Sequence, residues 1–362
     1  MASYIYQQRN WTTFQWDEEE VRVLLAEVHR LRGYLAGRMH AVGFATQTAS
    51  QLQVLTVDIV RSSEIEGAML DPDQVRSSIA RKLGMDVEGQ GRASRSVDGV
   101  VEMTLDAIRH HSDPLTHSRL FAWHGSLFPS GRSGGVRIET GCYRTQEMQI
   151  VSGSFGRERV HYTAPPPRSV KPEMTAFLTW FNGKEPIDPI IKAAIAHFRF
   201  VIIHPFDDGN GRIARALTDL LMARADDTTE RYYSLSDQIM ADRKKYYRIL
   251  QSVQHSTGDI TEWLVWFLQI VTRALQASVR SIDAVLDRST FWIQHEDEVF
   301  NHRQRIVLNK LFDGLDGKLT TSRWARIAKC SQDSALRDIR DLVEKGILKQ
   351  KPGGGRNTNY EL

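Results

Sequence analysis

Cysteine is nearly absent from this chain: there are two in 362 residues, Cys142 and Cys330, far apart and without a CxxC partner. Neither a disulfide framework nor a zinc site can be built from such a pair, and both thiols are expected to be reduced and passive. No run approaches about eighteen uncharged apolar residues, which argues against a membrane-spanning helix. The opening residues Met1 to Arg9 lack the basic start and apolar stretch of a signal peptide. The expectation is a cytoplasmic protein with no membrane contact. No internal repeat of about 20–50 residues is present. The phosphate loop GxxxxGK[ST] is missing, and no GxGxxG follows a strand, so neither common nucleotide fingerprint applies.

A strong charge of one sign is also missing, since 47 Lys and Arg face 44 Asp and Glu. The balance is uneven along the chain. Residues 301–362 carry 13 Lys and Arg against 7 Asp and Glu, so the tail is +6 and the remainder −3. Any nucleic-acid contact is therefore expected in the tail. Hydrophobic residues make up 41% and charged residues 25%, the range of a globular chain able to bury real cores. At roughly 150 residues per domain, the length predicts two or three domains.

Helical periodicity dominates. Residues 17–40 place Val21, Leu24, Leu25, Val28, Leu31 and Leu35 three and four apart behind Asp17, a capping residue. The upstream aromatics Tyr4, Tyr6, Trp11, Phe14 and Trp16 mark a segment packed on another surface. A second helix is expected from about Thr46 to Gly67, stopped by Gly67 and by Asp71-Pro72. Residues 84–95 read as a loop, and helices are expected at 97–108, 113–128, 173–182, 190–203, 210–224, 240–253 and 260–288. Between Gly131 and Pro167, glycines and prolines interleave with Gln149-Ile150-Val151 and Val160-His161-Tyr162, the pattern of a β-hairpin. The last sixty residues pattern as three short helices, 304–312, 322–329 and 334–345, and then two short strands around a basic glycine tip, as in a winged helix.

The segment from His204 to Arg215, HPFDDGNGRIAR, follows an apolar run and precedes a helical one. Pro205 removes an amide and blocks continuation of the helix. Gly209 and Gly211 permit a tight turn whose amides point inward, an anion nest at a helix start. Arg212 and Arg215, three apart, share one side of the new helix and suit phosphate oxygens. Asp208 offers the hard oxygen that a phosphate-bound Mg²⁺ requires, and His204 is placed to take a proton from a hydroxyl. Singly each residue has a plain structural role; together they describe a Mg²⁺–nucleotide site.

HPFDDGNGRIAR resembles the full signature HPFx[DE]GNGRxxR of Fic-domain proteins. The resemblance implies a mainly α chain: a Fic helical core with a β-hairpin flap, an N-terminal helical region and a C-terminal winged-helix domain. The implied divisions are 1–110 for the N-terminal region with its inhibitory helix ending near 67, 111–275 for the catalytic core, 276–299 for a helical linker, and 300–362 for the winged helix-turn-helix. The implied activity is transfer of AMP from ATP to a Ser, Thr or Tyr hydroxyl of a target protein, with release of pyrophosphate. By the same resemblance His204 is the base and Asp208 the Mg²⁺ ligand. Gly209, Asn210, Gly211, Arg212, Ile213, Ala214 and Arg215 bind the nucleotide phosphates, Arg215 orienting the terminal one. Gly141 to Thr145 and Ile150, Val151, Ser152 and Gly153 resemble the flap, which registers the target chain by strand addition. Tyr246, Tyr247 and Gln254 fall where the family often lines the nucleoside pocket, with Gln254 standing where relatives can carry Asn.

The hexapeptide Ser62-Ser63-Glu64-Ile65-Glu66-Gly67 matches the family's inhibitory motif [ST]xxxE[GN] through Ser62, Glu66 and Gly67. This resemblance implies that Glu66 pairs with Arg215 and takes the place of the γ-phosphate. It also leaves a reaction in the reverse sense open, in which Glu66 positions water to remove AMP. Self-modification and a homodimer follow as further expectations from the family. In the tail, Arg337, Arg340 and Lys345 on the expected recognition helix, with Lys349, Lys351 and Arg356 beyond it, suit DNA phosphates. Asp338, Asp341 and Glu344 dilute that face, and winged helices also dock proteins, so DNA or a protein is the expected contact. A rival reading is a DNA-binding regulator whose Fic core only senses nucleotide.

Overall fold

The computed structural model describes residues 4–85, 93–152, 159–312, 315, 317–351 and 358–362. Gly153, Arg356 and the glycine tip of the expected wing lie outside the described residues, as does most of the 84–95 loop; of Ser152 only the backbone is described. Two compact units emerge, residues 1–278 and 279–362.

In the first unit a 3₁₀ turn at Ile5–Gln7 precedes α1 (Glu18–His40), α2 (Phe44–Ile65), α3 (Pro72–Leu83), α4 (Arg95–Arg109) and α5 (His117–Leu127). A two-residue ladder, β1 (Arg132–Ser133) with β2 (Val136–Arg137), and an antiparallel hairpin, β3 (Gln149–Ser152) with β4 (Arg159–Thr163), come next. Then follow α6 (Pro167–Asn182), α7 (Pro189–Ile203), α8 (Asn210–Asp226), α9 (Leu235–Ala241), α10 (Arg243–Val253) and α11 (Thr261–Gln294), whose residues from 279 on are counted with the second unit.

Local chemistry sets these boundaries. The Asp17 carboxylate accepts from the amides of Glu19 and Glu20 and opens α1, whose buried face is Val21, Val28, Leu31 and Leu35. Gly43 starts α2 two residues before the expected Thr46. Helix α3 falls where the sequence reading placed only a stop. Asp71 caps it by accepting from the Asp73 amide and Pro72 takes the first helical position, so the dipeptide that ends one helix begins another. The expected 240–253 helix is two pieces, α9 and α10, parted at Asp242, whose carboxylate accepts from Trp266 and Arg273.

The core of the unit is the pair α7 and α8, nearly all of whose side chains are buried. Helix α7 ends at His204 in the left-handed conformation (φ 49°), and α8 begins after Gly209 (φ 80°). A buried pair joined by a short turn holds the turn residues rigidly while leaving their polar groups at the surface of the bundle.

The second unit contains α12 (His302–Phe312), α13 (Thr321–Ile327) and α14 (Gln332–Glu344), then β5 (Lys349–Gln350) paired antiparallel with β6 (Tyr360–Glu361). Leu319, between α12 and α13, bridges to Tyr360. Val307, Leu308, Trp324, Ile339 and Leu342 form its core. Asp338 is buried and accepts from Asn301 and from both Nε and Nη2 of Arg303, while Asp341 accepts from Gln304 and Lys345. Two of the four acids on α14 are thus satisfied from within the unit.

Gly99 on α4 marks a tight crossing with α5, for a Cβ there would lie 1.8 Å from the Ser126 carbonyl oxygen. Gly99→Ala should therefore destabilise the protein by about 1–3 kcal/mol through overpacking, although helix propensity alone favours Ala by about 1 kcal/mol. A urea unfolding curve gives the sign, and a gain in stability would contradict the crossing.

Candidate active site

The turn between α7 and α8 is closed by its own residues. The Asn210 side chain accepts from the Phe206 amide (3.0 Å) and donates to the Phe206 carbonyl (2.7 Å). Its amide group is therefore spent on the turn, and the chain's offer to an anion comes from the backbone. Ile213 N–H makes the first α8 bond, to Gly209 O (3.0 Å). The amides of Asn210, Gly211 and Arg212 precede it, at the positive end of the helix. Gly209 is required for its positive φ and because a Cβ would meet Phe128 at 2.9 Å.

His204 is half-buried at this turn. Its Nδ1 lies 3.2 Å from the Val201 carbonyl, which assigns the proton to Nδ1 and leaves Nε2 as an acceptor. Burial pulls its pKa down to about 4; the Val201 hydrogen bond opposes this, Arg144 adds to it, and Glu66 and Asp208 oppose it. At neutral pH the imidazole is uncharged and able to accept a proton.

Arg212 is buried, its guanidinium 4.9 Å above the Phe128 ring and 4.0 Å from Asp208 Oδ1. Its Nε has no hydrogen-bond partner, a donor that an anion would satisfy. The Asp208 carboxylate is half-exposed and accepts from Ser133 on β1. Among the described residues no group of three or more His, Cys, Asp or Glu could hold a metal ion. A single carboxylate beside helix-start amides fits Mg²⁺ that would take its remaining ligands from a bound phosphate group and water.

Arg215, wholly buried on the next turn of α8, meets α2. Its Nε donates to Ser62 Oγ (2.8 Å), its Nη2 to the Ser62 carbonyl (2.7 Å) and its Nη1 to Glu66 Oε1 (2.9 Å). The three motif positions each have a physical task. Ser62 supplies two acceptors and Glu66 the counter-charge. Gly67 (φ 81°) lets the helix end in a left-handed turn, with Ala68 N–H on the Ser63 carbonyl (3.0 Å). Gly211 leaves room for the carboxylate, since a Cβ there would lie 2.0 Å from Glu66 Oε1.

Of the other expected site residues, Ile213 and Ala214 are buried on α8, where their backbone follows the turn. Ile150 and Val151 are exposed on β3. Tyr247 stands beside the end of α2, its hydroxyl 3.4 Å from the Ile65 carbonyl. Tyr246 is buried among Trp263 and Trp266, and its O–H donates to His197 Nε2 (3.0 Å). Gln254 is buried under the hairpin, donating to the His161 carbonyl of β4 (3.0 Å) and accepting from the Ile5 amide (2.7 Å).

Sequence reasoning missed two supports. Arg144, buried at the root of the hairpin, donates from Nε to the His204 carbonyl (2.8 Å), while its amide donates to the Pro205 carbonyl (2.9 Å). His124 stacks on Phe206 (4.3 Å), accepts from the Gly141 amide at Nδ1 and donates from Nε2 to the Asp208 carbonyl. The sequence marked Arg144 only as part of a flap-like segment and His124 not at all, because both act through contacts distant along the chain.

Known proteins share this arrangement in part. Residues 114–222 match the model of the Fic/DOC family. Residues 4–85 match a domain of unknown function (DUF4172). Among curated relatives, Protein adenylyltransferase Fic of Nematostella vectensis is 27% identical over 247 residues, covering 66% of this chain and 50% of its own length. Protein adenylyltransferase fic-1 of Caenorhabditis elegans is 25% identical over 259 residues, covering 67% and 47%. The chain thus spans about half the length of these relatives. Among solved structures, a Fic family protein from Desulfovibrio desulfuricans G20 aligns over 95% of both chains with a TM-score of 0.54 at 21% identity. Fic-1 (residues 134–508) from C. elegans aligns over 74% of this chain and 73% of its own with a TM-score of 0.51 at 24% identity. These likenesses show the fold.

His124, His197 and His204 are held neutral by burial, with pKa values pulled to about 4, 3 and 4. The unfolded chain therefore takes up more protons than the folded one as the pH falls through about 6.5, and stability should fall between about pH 6.5 and 4. Imidazole resonances followed by NMR should show His204 still neutral at about pH 6. Half-protonation of His204 near its ordinary value would contradict the site's geometry.

Proposed function

We propose that the protein is an autoinhibited protein adenylyltransferase. The observation that carries this reading is the single turn that joins a neutral imidazole with a free Nε2, helix-start amides and two buried guanidinium groups. A target Ser, Thr or Tyr oxygen attacks the α-phosphorus of ATP as His204 Nε2 takes its proton. The new bond is O–Pα, the bond from Pα to the bridging oxygen breaks, and pyrophosphate leaves. The amides of α8, Arg212 Nε and Arg215 hold phosphate oxygens, so charge developing in transfer meets fixed donors. Asp208 would hold Mg²⁺, which supplies further neutralisation of the phosphates.

Glu66 is the brake in this reading. While its carboxylate sits on Arg215 Nη1, a terminal phosphate is denied that guanidinium and ATP settles in an unproductive pose. The exposed β3 edge, with Ile150 and Val151, would register the target chain. The order of elements in the second unit supports a winged-helix assignment and a role in contacting DNA or a protein. Pairing of Asp338 and Asp341 inside that unit leaves Arg337 and Arg340 exposed, beside the exposed Asp333 and Glu344.

The test is covalent labelling by α-labelled ATP with Mg²⁺, alone and with cell lysate, of wild-type, Glu66→Gly and Glu66→Gly/His204→Ala proteins. Labelling should rise strongly in the single variant and fall by about 10²-fold or more in the double variant, which retains ATP binding. A single variant that binds ATP and labels nothing would overturn adenylyl transfer.

A further inference from the structure

Helix α2 is gripped along its last two turns by the pair α9 and α10, through residues other than the three defined motif positions Ser62, Glu66 and Gly67. Asp58, buried and one turn before Ser62, accepts from Ser234 Oγ (2.6 Å), the Ser236 amide (3.0 Å) and Ser236 Oγ (3.1 Å) at the start of α9. Arg61 Nε donates to Asp237 (3.2 Å) on the first turn of α9. At the end of α2 the Ile65 carbonyl, next to Glu66, accepts from Arg243 Nε (2.8 Å) at the first position of α10, and Tyr247 O–H lies 3.4 Å away. Arg243 in turn lies over the Tyr247 ring at 5.5 Å.

Asp58, Ser62 and Glu66 are spaced four apart, so they lie on one face of the helix. A carboxylate fixed at one end of that face sets the register of the two groups that meet Arg215. The carbonyl held at the other end belongs to the residue directly before Glu66, at a helix terminus that would otherwise fray. Helix ends without such partners open locally at little cost, and an open end would carry Glu66 away from Arg215.

We propose that Asp58 and Arg243 are positioning residues that set the strength of the brake, by fastening α2 to α9 and α10 so that Glu66 stays on Arg215. This deepens the autoinhibition reading and rests on it. Tyr247, one turn further along α10, lies against the same Ile65 carbonyl as Arg243. The brake and that part of α10 are one mechanical unit.

The test uses the full chain with Arg243→Ala, Arg243→Lys and Asp58→Asn, each first shown to be folded by its circular dichroism and thermal transition. Arg243 is at the surface, so its loss leaves the core intact and keeps the test informative even if Asp58→Asn does not fold. Hydrogen exchange of the 61–66 amides should quicken roughly tenfold in Arg243→Ala, while the α8 amides exchange as in wild type. Labelling from α-labelled ATP should rise severalfold in the same variant, less than in Glu66→Gly, with Arg243→Lys between. In a Glu66→Gly background the Arg243 substitution should add nothing, which a general effect on folding or catalysis would not reproduce.

Unchanged exchange at 61–66 in folded Arg243→Ala overturns the proposal. So does faster exchange without more labelling when Glu66→Gly labels strongly, or an equal rise in the Glu66→Gly background. If Glu66→Gly itself binds ATP and labels nothing, the transfer reading fails instead, and exchange at 61–66 alone decides whether Arg243 fastens the helix.

Discussion

A guanidinium taken out of water has to find acceptors for its N–H groups, and Arg215 is wholly enclosed. The carboxylate one turn on along α8, Asp219, is buried as well and is taken up by Arg231 (2.6 Å). The acceptors come from α2, 149 and 153 residues away in sequence. Burying a charge with its counter-charge and hydrogen bonds is tolerated, whereas removing one partner leaves an uncompensated ion. This requirement fixes where α2 lies against the core. In the functional account, whatever displaces Glu66 must bring negative charge of its own, and a terminal phosphate does.

The rest of the site follows the same logic of rigid support for exposed chemistry. Phe206 is buried among His124, Phe121, Tyr143 and Phe200, so the turn that bears His204 and Asp208 is anchored by the aromatic residue between them. Arg144 ties the hairpin root to the His204 carbonyl. At the same open end of the hairpin, Tyr4 O–H accepts from the Thr163 amide and Tyr6 O–H donates to the Thr163 carbonyl. With Gln254 on the His161 carbonyl, the outer edge of β4 is engaged by the protein itself. The N-terminal aromatics thus buttress the hairpin.

Much of this was legible in the sequence because it is local. The capped starts, the periodic apolar faces and the turn from His204 to Arg215 depend on residues within a few positions of one another. The meeting of Glu66 with Arg215 was legible only through a resemblance, and that of Ser62 with Arg215 not at all, since no local pattern encodes a contact across so long a separation. Helix α3 was hidden by Asp71-Pro72, which serves equally as an end and a beginning. The Asn210 side chain, spent on closing its turn, and the Tyr246 hydroxyl, committed to His197, have placements set by three-dimensional packing. Arg144 and His124 escaped for the same reason.

The central claim is that Glu66 and a terminal phosphate compete for Arg215. Calorimetric titration of wild-type and Glu66→Gly proteins with ATP and with ADP, which lacks that phosphate, tests it most directly. The account predicts that wild type binds the two alike and that Glu66→Gly prefers ATP by roughly tenfold, the worth of about one charge-assisted hydrogen bond. An equal gain for ATP and ADP, or no gain for either, would contradict it.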